Sequence, residues 1–366
     1  MSRKLLPLFL ALTMVFMIVG CAQPTPAPTA APAAPQPAAA EPTAAPQAAA
    51  GAPSKEFKLG VEGPFSGPAA KTGQEFRRSF EMAMEAINYT IGDYKIIPVF
   101  IDDQSDPAKG ASAYEQAIVQ DKIQAAVLNW NSSVAVALME LAAKYKIPHF
   151  FPYGATEVVN ETFASDPDKY GYWMTKGWAS PSKLSISYVM ALDDAIERGV
   201  YKPEKKTVVI TGEDNDWGRS FCAAIKGQFL EKGWEIVGED YFPIDQSDFV
   251  PLWNKYKGVN PAVLVLTSTA TPVMTAAIKQ ADQVGLKSLI IADGLGWSGN
   301  WYELTGKGSN YVLDQIPQLA SDKAKAFAKE YEAKYGQKPS PSAAGLSYDG
   351  TNFFIKVMQT ACADHG

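Results

Sequence analysis

Between Phe57 and Ala292, short apolar runs alternate with stretches whose apolar residues recur at helical spacing. Phe57–Val61, Lys95–Ile101, Ala125–Leu128, Pro148–Phe151, Thr207–Thr211, Ala262–Leu266 and Ser288–Ala292 read as strands. Phe76, Phe80, Ala83, Met84 and Ile87 share one helical face, as do Ala135, Leu138, Met139 and Ala142 after Ser132. Strands that alternate with helices predict α/β architecture, with parallel sheets covered by helices on both faces. Two breaks interrupt the alternation. "MTKGWASP", around Met174–Pro181, separates a strand-like run from a new helix, and a second transition falls near Tyr311–Pro317. If the chain crosses between two lobes at both points, each lobe is assembled from non-contiguous segments.

The first 54 residues follow neither pattern. Arg3 and Lys4 precede Leu5–Val19, a run apolar except for Pro7 and Thr13. It falls short of the roughly 20 residues that span a bilayer and reads as an export signal. It ends at Gly20-Cys21, which looks like the lipobox of bacterial lipoproteins, where the cysteine becomes the lipidated N-terminus. The alternative is an ordinary cleaved signal with an incidental cysteine. From Ala22 to Ser54 the chain holds nine Pro and fifteen Ala, with Glu41 its only charge. So little bulky apolar surface cannot offset the entropy of folding, and Pro-rich chain favours an extended tether. The predicted division is a lipoprotein signal over 1–20, a tether over 21–54, a first lobe over 55–177, a second over 178–313, and a return to the first over 314–366.

Composition narrows the function. The net charge of −6 and the absence of a basic block argue against nucleic acid. Beyond Cys21 only Cys222 and Cys362 remain; they could pair but make no disulfide framework. His149 and His365 are the only histidines, so a His/Cys zinc site is not expected. No cofactor is implied, and a monomer is expected.

In parallel sheets of this kind, ligands bind where strands end and helices begin. Four such loops stand out. "GPFSGPAAKTG" (Gly63–Gly73) has Ala70 where a phosphate loop needs Gly before its Lys, leaving a shaped turn around Thr72. "LNWNSSVAVAL" places Ser132 and Ser133 at a helix start, either as a plain N-cap or as hydroxyl donors beside free N–H groups that attract an anion. "FFPYGATEVV" brings Gly154, Ala155 and Thr156 after a strand, as a plain turn or as a second donor to that anion. "ADGLGWSGN" spells G-x-G-x-x-G, but bulky Trp297 and a short glycine-broken helix speak against a dinucleotide. Asp293 there is either a turn residue or the partner of a cationic ligand group. The acids of "TGEDNDWG" read as caps of the next helix. Trp130, Trp217 and Trp297 all fall in candidate cleft loops and point to an aromatic-lined pocket.

"FKLGVEGPFSGPAAKTGQEFRRSFEMAMEAIN", "IDDQSDPAKGASAYEQAIVQDKIQAAVLNWNSSVA", "KYKIPHFFPYGAT" and "IKQADQVGLKSLIIADG" resemble the solute-binding proteins of branched-chain amino acid ABC transporters. The resemblance runs from Phe57 nearly to the end. It implies two doubly wound lobes joined by a three-strand hinge and closing on a ligand. It also implies a chain that continues several tens of residues further. Ser132, Ala155 and Thr156 match positions that hold a ligand carboxylate; Trp217, Thr271 and Asp293 lie at or near second-lobe contacts. The implied function is an extracytoplasmic lipoprotein, anchored to membrane lipid through Cys21. It captures an amino acid or related acid or amide and delivers it to ABC permease subunits. A receptor module of the same fold is the alternative. An enzyme is the more distant one, since no nucleophile–base–acid set is visible.

Overall fold

A computed structural model describes residues 53–315 and 317–365. The predicted signal, Cys21 and the tether lie outside them. The described residues form one unit, built on two sheets.

The first sheet holds β1 (Lys55–Gly63), β2 (Thr90–Ile91), β3 (Tyr94–Asp102), β4 (Ala125–Val127), β5 (His149–Phe150) and β6 (Trp173–Met174). Their order is β2-β3-β1-β4-β5-β6. The sheet is parallel except for β2, which pairs antiparallel with β3; the all-parallel expectation fails at this edge because a tight turn joins the two. The second sheet holds β7 (Thr207–Glu213), β8 (Glu235–Phe242), β9 (Val263–Thr267), β10 (Leu289–Asp293) and β11 (Val312–Leu313) in the order β11-β10-β9-β7-β8, all parallel. Around the first sheet lie α1 (Ala70–Glu85), α2 (Pro107–Gln116), α3 (Ser132–Tyr145), α4 (Glu157–Ser165) and α5 (Pro167–Tyr170). With the second go α6 (Pro181–Glu197), α7 (Asp216–Glu231), α8 (Val250–Val259), α9 (Thr271–Val284) and α10 (Trp301–Thr305). The chain then returns: α11 (Asp322–Tyr335) and α12 (Leu346–His365) pack back on the α1 side.

Strand alternation explains the layering. In β9, Val263 and Val265 join a core with Tyr188, Phe221 and Ile225, while Leu264 and Leu266 join one with Trp253 and Ile278 on the opposite face. β1 is buried the same way: Leu59 and Val61 pack on Phe76, Phe80 and Phe354. Helix boundaries follow cap chemistry. Asp106 caps α2 ahead of Pro107, Ser321 caps α11, and left-handed Gly285 ends α9. His149 is fully buried, stacked on Tyr114, with Nδ1 3.1 Å from the Tyr114 hydroxyl. Burial holds its pKa down at about 4, so it is a neutral core residue. Cys222 and Cys362 are both free. Among the described residues no helix is long and apolar enough to cross a membrane.

Candidate functional site

Loops leaving β4 and β5 meet loops leaving β7, β9 and β10 across one cleft. Trp130, Ser132, Tyr153, Ala155, Trp178, Trp217, Thr269 and Trp297 line it. Trp297 is the hub: its ring centroid lies 5.7 Å from Trp130 and 5.9 Å from both Trp178 and Trp217, in edge-to-face pairs. The free space among these side chains is about 20 Å³, room for about one water. A ring-sized molecule does not fit between the walls as they stand. Next to it, behind Trp130 and Trp297, a hydroxyl-rich hollow takes in Thr72, Glu75, Thr271, Ser298, Ser340 and Ser342.

At the first-lobe end, Ser132 Oγ accepts from Ala155 N at 3.0 Å and Thr156 N at 3.2 Å. Ser132 is not the helix cap that one alternative made it. Asn131 occupies that position with no side-chain cap bond, and Ser132 is the first residue inside α3. The reason is that the Asn131 amide is drawn across the cleft, donating to Thr269 Oγ1 at 3.2 Å. The first turn of α3 is thus left without a side-chain cap, and its N–H groups and dipole favour an anion.

The other predicted residues are distributed as follows. Ala155, Trp130 and Trp217 line the cleft, and Thr72 and Thr271 the adjoining hollow. Ser133 faces the opposite lobe, accepting from Asp216 N at 3.1 Å. The Thr156 hydroxyl caps α4 by accepting from Val158 N. The cap of α7 is Asn215 rather than an acid, because its amide oxygen accepts from Gly218 N at 3.0 Å. Trp217 Nε1 donates to Thr267 Oγ1 at 3.0 Å, and that hydroxyl donates to Asp293 Oδ2 at 2.8 Å. Asp293 therefore sits beneath the indoles and outside the lining.

Asp293 belongs to a buried acid network. Tyr188 Oη lies 2.8 Å from Asp293 Oδ1 and 2.7 Å from Asp314 Oδ1. A phenol carries one proton, so one of the two carboxyls holds a proton of its own. Burial raises Asp293 to about 7; burial and the Asp293 charge raise Asp314 to about 8. Glu213 is likewise buried and raised, held by Thr269 N and Oγ1 at 2.9 Å each. After β10 the chain makes one 3₁₀ turn over Gly296–Ser298 and then the five-residue α10, so no α-helix starts within the glycine motif.

Tyr153, Trp178 and Thr269 are lining residues that the sequence-based site residues did not include. Trp178 carried a signal, a tryptophan in the crossover "MTKGWASP"; Tyr153 and Thr269 carried none beyond their place in strand-end loops.

A family model described as Periplasmic binding protein matches residues 56–366. A Leu/Ile/Val-binding protein homolog of Brucella suis is 25% identical over 235 residues, 63% of this chain. The match spans 55% of that protein, so the chain spans about half the length of that curated relative. In fold, the chain is similar to an ABC transporter solute binding protein of Rhodopseudomonas palustris solved in complex with 3,4-dihydroxy benzoic acid. The TM-score is 0.71 at 23% identity, covering 84% of this chain and 81% of the other. LivJ of Streptococcus pneumoniae, solved with isoleucine, gives a TM-score of 0.69 at 21% identity, covering 83% and 84%.

Proposed function

Because the chain belongs to the periplasmic binding protein family, we propose that it is an extracytoplasmic solute-binding lipoprotein. Between its lobes it captures a small carboxylate with a flat apolar body, and as a monomer it hands that ligand to the permease of an ABC importer. The observation that carries this reading is the wall of the cleft. Four indoles surround it, Ser132 and the Ala155 peptide stand at one end, and no lining side chain is ionised. Flat rings stack well among indoles, and a carboxylate is served by hydroxyl and N–H donors at an uncapped helix start.

An α-amino acid also brings an ammonium, which in a water-poor cleft needs a charged acceptor. The strand-end acids of the second lobe are taken: Glu213 by Thr269, Asp293 by Thr267 and Tyr188. The aromatic acid bound by the Rhodopseudomonas palustris protein supports this choice. The Leu/Ile/Val-binding name of the relative and the isoleucine bound by LivJ favour a second reading, a branched-chain amino acid or its amide.

Calorimetry with benzoate, benzamide and leucine separates the two. Benzoate is expected to bind at least tenfold more tightly than either of the others; leucine binding as tightly as benzoate overturns the aromatic-acid reading. The anchor has its own test. The cell-expressed protein is expected to partition into membrane and Cys21→Ala to release it, since acyl chains contribute about 0.8 kcal/mol per buried CH₂.

A further inference from the structure

Lys176 stands in the crossover two residues beyond β6. Its ammonium reaches back beneath the loop between β5 and α4. It donates to Ala155 O at 2.8 Å, to Thr156 O at 3.4 Å and to Asn160 Oδ1 at 3.1 Å. Each of the two carbonyls shares a peptide with an N–H that points elsewhere. The peptide of Ala155 O carries Thr156 N–H, which donates to Ser132 Oγ in the cleft. The peptide of Thr156 O carries Glu157 N–H, which donates to Ser220 Oγ on α7 at 3.3 Å. One cation thus stands at the carbonyl end of two peptides, one ending on the cleft hydroxyl and the other on a lobe-to-lobe bond. Chained hydrogen bonds in a low-dielectric setting polarise and strengthen one another.

We propose that Lys176 is the positioning residue for the anionic end of the ligand, acting through the Ala155–Thr156 and Thr156–Glu157 peptides, and that the same charge couples anion binding to lobe closure. This rests on the carboxylate reading above. Lys176 does not line the cleft, so its charge stays out of the ring pocket and favours the anion from behind the loop. Burial holds its ammonium down at about 8, and the Glu157 carboxylate on α4 partly opposes that. Its other neighbours, Ala155 O, Thr156 O and Asn160, are neutral. The cation is present below about pH 8 and lost above it. Affinity for an anion is therefore full at neutral pH and falls as pH rises through 8, while a neutral ligand shows no such fall.

The test uses the full chain as wild type, Lys176→Gln and Lys176→Arg, titrated with benzoate and benzamide from about pH 6.5 to 9.5. At pH 7 Lys176→Gln is expected to weaken benzoate about tenfold and to leave benzamide within about twofold. The fall above pH 8 is expected in wild type and absent in the Gln variant, and Lys176→Arg is expected to keep benzoate affinity throughout. Unchanged benzoate affinity in Lys176→Gln, or equal loss for both ligands, overturns the proposal. If wild type binds neither probe, the ligand class fails, and Lys176 is judged in the free protein. The amide proton resonances of Thr156 and Glu157 are expected to titrate near pH 8 in wild type and stay fixed in Lys176→Gln. Amides indifferent to Lys176 overturn the proposal whatever the ligand.

Discussion

The two sides of the cleft handle charge in opposite ways. On the first-lobe side, buried acids hold the donor loop from below. Glu62 accepts from Asn129 Nδ2 at 3.0 Å, and Asn129 Oδ1 accepts from Gly154 N at 3.0 Å, just ahead of the donors at Ala155 and Thr156. Glu62 and Asp103 are two neighbouring acids; burial lifts both, Glu62 well above the ordinary value with the Asp103 charge adding to it, and Asp103 to about 6. On the second-lobe side, Glu213 and Asp293 are turned inward onto their own lobe's hydroxyls, and indoles face the cleft. The first-lobe wall carries Ser132 and the Ala155 peptide beside Trp130 and Tyr153, and the second-lobe wall carries Trp217 and Trp297. Rings come from both lobes, whereas the backbone donors at Ala155 and Thr156 and their Ser132 acceptor come from the first alone, so charge recognition can be broken separately from the ring contacts.

The strongest perturbation should come from a feature the two lobes share. Gly73 in α1 and Gly218 in α7 sit where a helix packs against the chain leaving the strand before it, β1 and β7 respectively. A Cβ on Gly73 would lie 2.1 Å from Pro64 O, and one on Gly218 would lie 2.0 Å from Glu213 O. Backbone cannot yield as a side chain does, so the helix must lift. Gly73→Ala and Gly218→Ala should each destabilise by about 3 kcal/mol, the upper end for overpacking, read from denaturant unfolding. The comparison sharpens in the quenching of Trp217 fluorescence. Gly218→Ala should change it before unfolding and Gly73→Ala should not.

Next in size is a pH effect centred on the second lobe. Asp293 and Asp314 have folded values near 7 and 8 against ordinary values of 3.8. The folded state therefore holds a proton that the unfolded state releases. The contribution of this pair to stability is highest at or below about pH 4 and declines as pH rises through 7 to 8. A loss of about 2 kcal/mol between pH 5 and 9 is expected in urea unfolding, where each tenfold change in proton affinity is worth about 1.4 kcal/mol. Two acids bridged by one phenol release their protons as a pair, which keeps the loss well below the sum of two independent groups. Asp314→Asn removes one acid and should flatten the upper part of that curve. The same slope in the variant would place the proton elsewhere.

How far the sequence carried this picture depended on what kind of signal each residue gives. Fully buried strands such as β9 and β10 were legible because nearly every position is apolar. β8 was not: it is an edge strand bearing Glu235, Glu239 and Asp240, and two of these charges pair outward, Glu239 with Lys226 and Asp240 with Lys255, at 2.6 Å each. The two-residue β2, β6 and β11 are too short to show a period. The three loop tryptophans were visible as types and do converge. The inward turn of Asp293 was invisible, because its partners Thr267 and Tyr188 are set by strand register and helix packing. Lys176 was invisible for the same reason: it contacts a loop about twenty residues back in the chain.

The donor wall is tested by Ser132→Ala. The variant removes a hydroxyl proposed to donate to the ligand carboxylate and leaves the Ala155 and Thr156 N–H groups without their acceptor. A hydrogen bond to a charged group contributes about 1.5–3 kcal/mol. Benzoate affinity should fall about tenfold or somewhat more, with benzamide less affected. A variant that binds benzoate as tightly as wild type would move the carboxylate site away from Ser132.

The smallest effect belongs to the next residue, and the contrast makes it informative. Ser133 Oγ accepts from Asp216 N, the first residue of α7 in the other lobe. It lies outside the cleft lining, so it has no contact through which to sense ligand charge. Ser133→Ala removes one lobe-to-lobe bond, and a single neutral hydrogen bond contributes about 0.5–1.5 kcal/mol net. If the lobes part, Asp216 N would be free to meet water rather than be left buried and unpaired, which keeps the expected effect near the lower end. A ligand that requires closure loses affinity by whatever the closed state loses. Benzoate and benzamide should therefore weaken by the same factor, about two- to fivefold, with unfolding by denaturant unchanged. Small-angle scattering of the ligand-free variant should show a slightly larger radius than wild type. A benzoate-selective loss in Ser133→Ala would mean that Ser133 belongs to the donor wall after all, and that charge recognition and closure are not separated between neighbouring serines.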